Sequence, residues 1–523
     1  MSQSLAQDLA RGLSQLGVDR IFGVPGGGPN LDMIAAARDL GIEFVLTHHE
    51  TAACIMAATY GKLTGRVGVA IVTRGPGLTN ALNGVAQAQL DRFPLLLISD
   101  TVSRESSRRI AHQRLDQVAT TVPITKWSGV LGSSNSVHTV IAAGELAMQA
   151  PQGAVHLAFD STQTGDSPPT AGAAVQSSPN DMDDIARIIG AARRPLIILG
   201  LDAINATTTV RSLLAENSTP IMVTYQAKGI VPEEWDSYCG FFTGVPAERG
   251  LLRQADLIIG VGLDSVEPMP GPWPYEATTI LVHSHEVETE YFGNPRLLVV
   301  DYATALPRLF DHIVTKWDQP FTQPCLKDAL LELPTQSALS PQNVVSITNS
   351  EFPDAIATVD AGAHMLVTMP VWSATRPNEV LISNGLATMG FSLPAAIGAA
   401  FANPDRKVMC FVGDGGLGMS LAELEVISRH SLNVTVVVFN DATLTLIQLK
   451  QTEAQRDTRS VGYALSDFAA IGAAMGLKTF TASSVDELQA AISAVAGAPS
   501  LIDARVDAAD FRDIIAIARD TDE

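Results

Sequence analysis

Apolar residues along this chain gather in short runs rich in Val, Ile and Leu, and between the runs apolar positions recur at helical spacing. In the first third the runs are Arg20 to Val24, Val67 to Thr73 and Pro94 to Ser99. The middle third has Pro195 to Gly200, Pro220 to Tyr225, Asp256 to Gly262 and Thr279 to His283. The last third has Ala355 to Asp360, Val408 to Asp414, Val434 to Asn440 and Leu501 to Val506. These runs lack polar alternation, so they predict strands buried on both faces, in parallel sheets covered by helices. The expected fold class is α/β, with three consecutive domains, each a central parallel sheet flanked by helices. Two stretches break the rhythm and predict linkers: Thr162 to Asp181, rich in Ser, Pro, Gly and Thr, and Asp318 to Pro341, which holds four prolines. The expected domains are residues 1–165, 180–320 and 340–523.

Composition narrows the function. The 523 residues are 46% hydrophobic and 17% charged, too apolar for a disordered polymer. Lys and Arg number 34 against 55 Asp and Glu, a net charge of −21. So acidic a surface repels phosphate backbones and anionic lipid, which argues against nucleic-acid and membrane partners. No apolar run approaches the ~18 residues of a membrane span. The start, MSQSLAQDLARGLSQLG, predicts a short amphipathic helix without the basic start and apolar middle of a signal peptide. Cys54, Cys239, Cys325 and Cys410 are scattered, with no close pair for zinc or redox work, which suits a reducing cytoplasm.

The segment with the most chemistry is Val408 to Gln451. A buried strand ends at Gly413-Asp414-Gly415, a helix follows with Leu421, Leu424 and Ile427 at helical spacing, and a second strand ends at Asn440-Asp441. Successive parallel strands end side by side at the edge where α/β sheets bind ligands. Two carboxylates in one crevice suit a hard divalent cation, and glycines at a helix start admit a diphosphate to backbone N–H groups. Each piece alone is compatible with an ordinary turn; the ordered combination is much rarer. Gly413 to Gly418 also has the GxGxxG spacing of a nicotinamide-binding loop, but Asp414 would then face a pyrophosphate with no cation to offset it. Two further segments stand out. His48-His49-Glu50 ends a strand and opens a helix of small residues, where an acid also answers the helix dipole. Ser383 to Ala396 reads SNGLATMGFSLPAA, with Met389 at its centre.

Together these segments resemble the thiamine-diphosphate enzymes of the acetolactate synthase and benzoylformate decarboxylase type. The resemblance implies the thiamine-diphosphate-binding fold: a pyrimidine-binding first domain, a Rossmann-like middle domain and a diphosphate- and magnesium-binding third domain. It implies Mg2+ held by Asp414, Asp441 and the carbonyl of Thr443, with Asn440 as the alternative ligand, and a diphosphate against Gly413, Gly415 and Gly416. By the same match Glu50 hydrogen-bonds N1′ of the aminopyrimidine, Met389 wedges the cofactor into a V, and the carbonyl of Ala387 accepts from the 4′-amino group. Phe22 to Gly28 resembles the family's glycine-rich strand exit, with Gly27 and Gly28 facing substrate. Arg74 to Asn80 (RGPGLTN) resembles Ser-Gly-Pro-Gly-Ala-Thr-Asn and brings Asn80 to the cofactor. Arg74 in place of Ser either binds a substrate carboxylate or forms a structural ion pair. Ile110 to Gln113 lies where acetolactate synthases have Ala-Phe-Gln, making Gln113 an active-site amide beside His112. Asp360 to His364 resembles Asp-Val-Gly-x-His, so His364 acts near substrate or packs. His283, His285 and Lys228 read as structural.

Departures matter too. Flavin-binding members carry Gly-Met-His-Gly and Gly-x-Arg-Phe-Asp-Asp-Arg in the middle domain. Here these stretches read Gly240-Phe241-Phe242-Thr243-Gly244 and Gly262-Leu263-Asp264-Ser265-Val266-Glu267. Both arginines are gone, which argues against FAD and against an ADP-type activator. The activity implied is an acetolactate-synthase-like decarboxylase/carboligase working on a small 2-oxo acid such as pyruvate through an enamine. Alternatives are an aromatic 2-oxo acid decarboxylase, a 2-hydroxyacyl lyase acting on an acyloin-like substrate, and a non-catalytic cofactor-binding homologue. The resemblance also implies a homodimer or a dimer of dimers, Glu50 of one subunit meeting the diphosphate site of another.

Overall fold

The computed structural model describes residues 2–519 apart from 104, 105, 107, 108, 163, 164, 171, 173–175, 318–325, 336 and 496. Cys325 and parts of both expected linkers lie outside the described residues. Three parallel sheets of six strands follow one another along the chain. The first holds β1 (Arg20–Val24), β2 (Glu43–Leu46), β3 (Gly68–Val72), β4 (Leu95–Asp100), β5 (Trp127–Leu131) and β6 (Ala154–Phe159), in the order β2-β1-β3-β4-β6-β5. The second holds β7 (Pro195–Leu199), β8 (Ile221–Val223), β9 (Tyr238–Phe241), β10 (Leu257–Val261), β11 (Thr278–His283) and β12 (Arg296–Val299), ordered β12-β11-β10-β7-β8-β9. The third holds β13 (Ile356–Val359), β14 (Val380–Ile382), β15 (Val408–Gly413), β16 (Val434–Asn440), β17 (Lys478–Ala482) and β18 (Ser500–Arg505), ordered β14-β13-β15-β16-β18-β17. The α/β class with three parallel sheets is as expected, and every run read as a strand is one. No helix among the described residues is long and apolar enough to cross a membrane.

The first and third domains share one core. Helix α1 (Glu50–Thr64) and helix α2 (Pro76–Leu90) flank the first sheet, and α3 (Ser392–Ala402) flanks the third. α1 and α3 are built almost wholly from small and apolar residues, so their backbones approach closely: a Cβ added at Gly398 would stand 2.5 Å from the Met56 carbonyl oxygen. Phe22, Ile55, Phe391 and Val436 belong to one continuous apolar cluster that spans both sheets. The middle domain is tied to both by the loop after β10. Arg92 of the first domain donates to Asp264 at 2.9 and 3.3 Å, and Asn384 of the third donates to the Glu267 carbonyl at 2.5 Å. Lys228, fully buried, donates to the Met369 carbonyl at 2.7 Å and so binds the middle domain to the third.

Candidate active site

β15 and β16 are neighbours, with Gly413 paired to Phe439, so the residues that follow them emerge side by side. Asp414 opens helix α4 (Asp414–Ser420), and Asp441 follows Asn440 at the end of β16. Asp414 accepts from the Gly415 amide at 2.6 Å, the Ala442 amide at 2.7 Å and the Tyr463 hydroxyl at 2.8 Å. Asp441 accepts from the Thr443 amide at 3.2 Å and from the Thr445 hydroxyl. Burial pushes both carboxyls above the usual range; Asp441 reaches about 7, with the neighbouring Asp414 charge adding to the effect. A buried and a half-buried acid that repel each other are the donor set a divalent cation neutralises, so these residues fit Mg2+. Asn440 Nδ2 donates to Asp503 at 2.8 Å and to the Ser466 carbonyl at 3.0 Å, while its buried Oδ1, the atom a cation would use, has no partner among the described residues.

Around this pair the third domain gathers most of the remaining expected residues. The Met389 methyl stands 3.4 Å from where a Cβ on Gly415 would sit, so the side chain lies over the glycine turn. Ala387, just before it, is held at φ 53°, a left-handed conformation rare outside glycine. A Cβ at Gly416 would collide with the Asp360 carboxylate, which accepts from the amides of Gly390, Phe391 and Ser392 at 2.9, 2.9 and 3.3 Å and fixes the start of α3. His364 is buried, stacks on Phe439 with ring centroids 5.3 Å apart and lies beside Gly413; burial pulls its imidazole down to about 3.

In the first domain Glu50 is the first residue of α1 and is buried. Asn80 donates to its Oε2 at 3.1 Å, while Oε1 accepts no hydrogen bond among the described residues. Its neighbours His49 and Thr51 line a groove of about 410 Å3 with Asn83, Thr388, Met389 and Gly390. Among the described residues no hydrogen bond joins Glu50 to Asp414, Asp441 or Met389 within one chain. Around the exits of β1, β3 and β4, Asp100 organises a second group. It accepts from the Arg74 backbone at 2.8 Å, the Arg74 guanidinium at 3.3 Å and Asn30 at 3.3 Å, and Gly28 lies against it. Arg74 is thus engaged in an ion pair, although its Nε is buried without a partner among the described residues. Gly27 is exposed, and a Cβ added there would meet nothing within 4 Å. Gln113, at φ 55°, packs on Gly75, and His112 beside it is exposed.

Three residues that position these groups went unread in the sequence. Glu423 accepts from the His48 and His49 amides at 3.0 and 2.9 Å, fixing the turn that presents Glu50. Asp91 accepts from the Ser383 hydroxyl at 2.7 Å and the Gly385 amide at 2.6 Å, fixing the loop that presents Met389. Tyr463 bonds to Asp414 and, through its backbone, to the Ala442 carbonyl at 3.0 Å. Glu423, a charge among the apolar positions of its helix, was the one visible signal.

Comparison with known proteins agrees. Residues 3–120 match the thiamine pyrophosphate enzyme N-terminal TPP binding domain, residues 182–306 the central domain and residues 360–504 the C-terminal TPP binding domain. The catabolic acetolactate synthase of Raoultella terrigena is 30% identical over 92% of this chain and 91% of its own length. The acetolactate synthase isozyme 1 large subunit of Escherichia coli K12 is 29% identical over 96% and 94%. The acetolactate synthase large subunit of Parasynechococcus marenigrum is 31% identical over 83% and 76%. Its three matched domains and its near-full-length relatives make this chain a member of the thiamine pyrophosphate enzymes, of the acetolactate synthase type.

Proposed function

We propose that the protein is a magnesium- and thiamine-diphosphate-dependent decarboxylase/carboligase acting on a small 2-oxo acid such as pyruvate. The observation that carries this reading is the pair of mutually repelling carboxylates, Asp414 and Asp441, at the glycine turn beneath Met389. When bound, thiamine diphosphate supplies an electron sink for breaking or forming a bond beside a carbonyl carbon. Asp414, Asp441 and the Thr443 carbonyl would hold the cation, and the turn of Gly413, Gly415 and Gly416 would take the diphosphate. Met389 would support the cofactor's bend from below. Glu50, steadied by Asn80 and with Oε1 unengaged, would hold a proton at the aminopyrimidine ring. Gln113 and His112 would line the substrate side, and Arg74, bound to Asp100, would give that side its shape and charge.

The same reading includes a homo-oligomer, because in the family this chain resembles the Glu50 position of one subunit meets the diphosphate site of another. A catalytically active monomer at low concentration would contradict it. A cytoplasmic location belongs to the same reading and rests on the scattered cysteines. The reaction is tested by a panel of 2-oxo acids with Mg2+ and thiamine diphosphate, assayed by mass for aldehyde and acyloin products. Acetolactate from pyruvate is expected. Aldehyde from aromatic 2-oxo acids alone would select the alternative substrate class, and no turnover across the panel would overturn the reading.

A further inference from the structure

The middle sheet reverses its winding between β7 and β10: the chain runs outward from β7 through β8 to β9, then returns to β10 and runs the other way through β11 and β12. Open α/β sheets bind ligands beyond the strand ends at such a switch point. Here that crevice is covered by the first domain and forms a chamber of about 210 Å3, walled by Lys62, Arg92, Gln152, Asp202, Asn205 and His283 among others.

A dinucleotide does not fit it. The Glu267 carboxylate accepts from the Leu201 amide after β7 at 3.0 Å, from the Asp264 amide after β10 at 2.9 Å and from the Thr224 hydroxyl. Those amides are the donors a phosphate would need, and the chain's own acid already has them. The other acids are also satisfied. Asp264 pairs with Arg92, and Asp202 accepts from Ser284 at 2.7 Å, Tyr302 at 2.6 Å and Asn205 at 3.1 Å.

Two groups in the wall are not. Lys62 Nζ has no hydrogen-bond or ion-pair partner among the described residues; the Phe93 ring lies 5.8 Å away, and burial, offset in part by the Asp202 and Glu267 charges, pulls its ammonium down to about 8. His283 is fully buried, and burial keeps its ring neutral. Its Nε2 lies 3.0 Å from the Leu263 carbonyl oxygen and so carries the ring proton, which makes Nδ1 an acceptor. That Nδ1 has no partner among the described residues. An ammonium without a hydrogen-bond partner and a buried, orphaned acceptor stand in one wall, where a single ligand can answer both.

We propose that this chamber binds a small carboxylic acid bearing a hydroxyl or amino group on the adjacent carbon, with the carboxylate on Lys62 and the neighbouring donor toward His283. The volume of about 210 Å3 is enough for a molecule of that size. Lys62 sits twelve residues beyond Glu50 on α1, about 18 Å along the helix, so this site is separate from the catalytic one.

Calorimetric titration of the full-length protein, saturated with Mg2+ and thiamine diphosphate, tests the proposal with lactate, alanine, propionate, ADP and FAD as probes. Lactate or alanine should bind once per chain, and propionate, lacking the donor, about tenfold more weakly. Lys62→Met should abolish that binding and leave 2-oxo acid turnover unchanged. Ile204→Trp, which fills the chamber, should do the same. Binding that survives in both variants, propionate binding as tightly as lactate, absence of saturable lactate or alanine binding, or tight FAD or ADP binding would each overturn it.

Discussion

The first and third sheets have the same strand order, position for position: β2-β1-β3-β4-β6-β5 against β14-β13-β15-β16-β18-β17. The exits of equivalent strands carry different chemistry. Where the first sheet presents Glu50 after β2, the third presents Met389 after β14. Where the first presents Arg74 after β3 and Asp100 at the end of β4, the third presents Asp414 after β15 and Asp441 after β16. In the first domain the acid is neutralised inside the protein, Asp100 by Arg74 and Asn30. In the third, two acids face each other with neutral hydrogen-bond donors only. In the proposed function one scaffold would thus serve as a proton-handling end and as a cation-holding end, and the difference lies in which charges are left for a ligand to balance.

If that division is right, the two ends fail in different ways. Glu50→Gln should lower turnover by at least about a hundredfold while cofactor still binds, as expected for a lost acid–base group; near-normal turnover in steady-state assays would remove Glu50 from its role. Asp441→Ala should weaken Mg2+-dependent cofactor binding by about tenfold or more, read by titration without any turnover. Unchanged affinity would move the cation elsewhere. Tyr463→Phe removes one hydrogen bond to Asp414, so cofactor affinity should fall only severalfold. A loss as large as that of Asp441→Ala would make Tyr463 a direct ligand contact.

The smallest effect concerns Glu423, which burial pushes up to about 7. The folded chain keeps its proton up to that pH, whereas the unfolded chain releases it near the ordinary carboxylate value. Unfolding therefore becomes easier as pH rises between the two, and this contribution to stability is lost as pH climbs through about 7. Glu423→Gln should flatten the dependence of Tm on pH between 5 and 8, measured by calorimetry; an unchanged slope would remove Glu423 as its source.

The strands that the sequence concealed follow one rule. Six strands form the edges of the three sheets: β2, β5, β9, β12, β14 and β17. None was among the apolar runs, and β2 was visible only through the motif at its exit. An edge strand has fewer neighbours to bury it; β17 reads KTFTA and is largely solvated. β6 is central and fully buried, but His156 interrupts its apolar run; the ring is satisfied by Ser99 at 2.8 Å and Ser128 at 2.8 Å. The sequence motifs marked the strand exits, and the structure places Asp414, Asp441, Met389 and Glu50 at such exits. The candidate site was illegible where a side chain reaches across the chain, as Asp91 does to residue 383 and Glu423 to residue 48. Arg74 was open to two readings in the sequence, and its contact with Asp100 shows the ion pair.

The loop after β10 has a thermal consequence. Because Asp264 grips Arg92 while the Glu267 carbonyl grips Asn384, no one of the three domains can melt without breaking a fastening to the others, and heating should take the whole polypeptide apart in a single cooperative step.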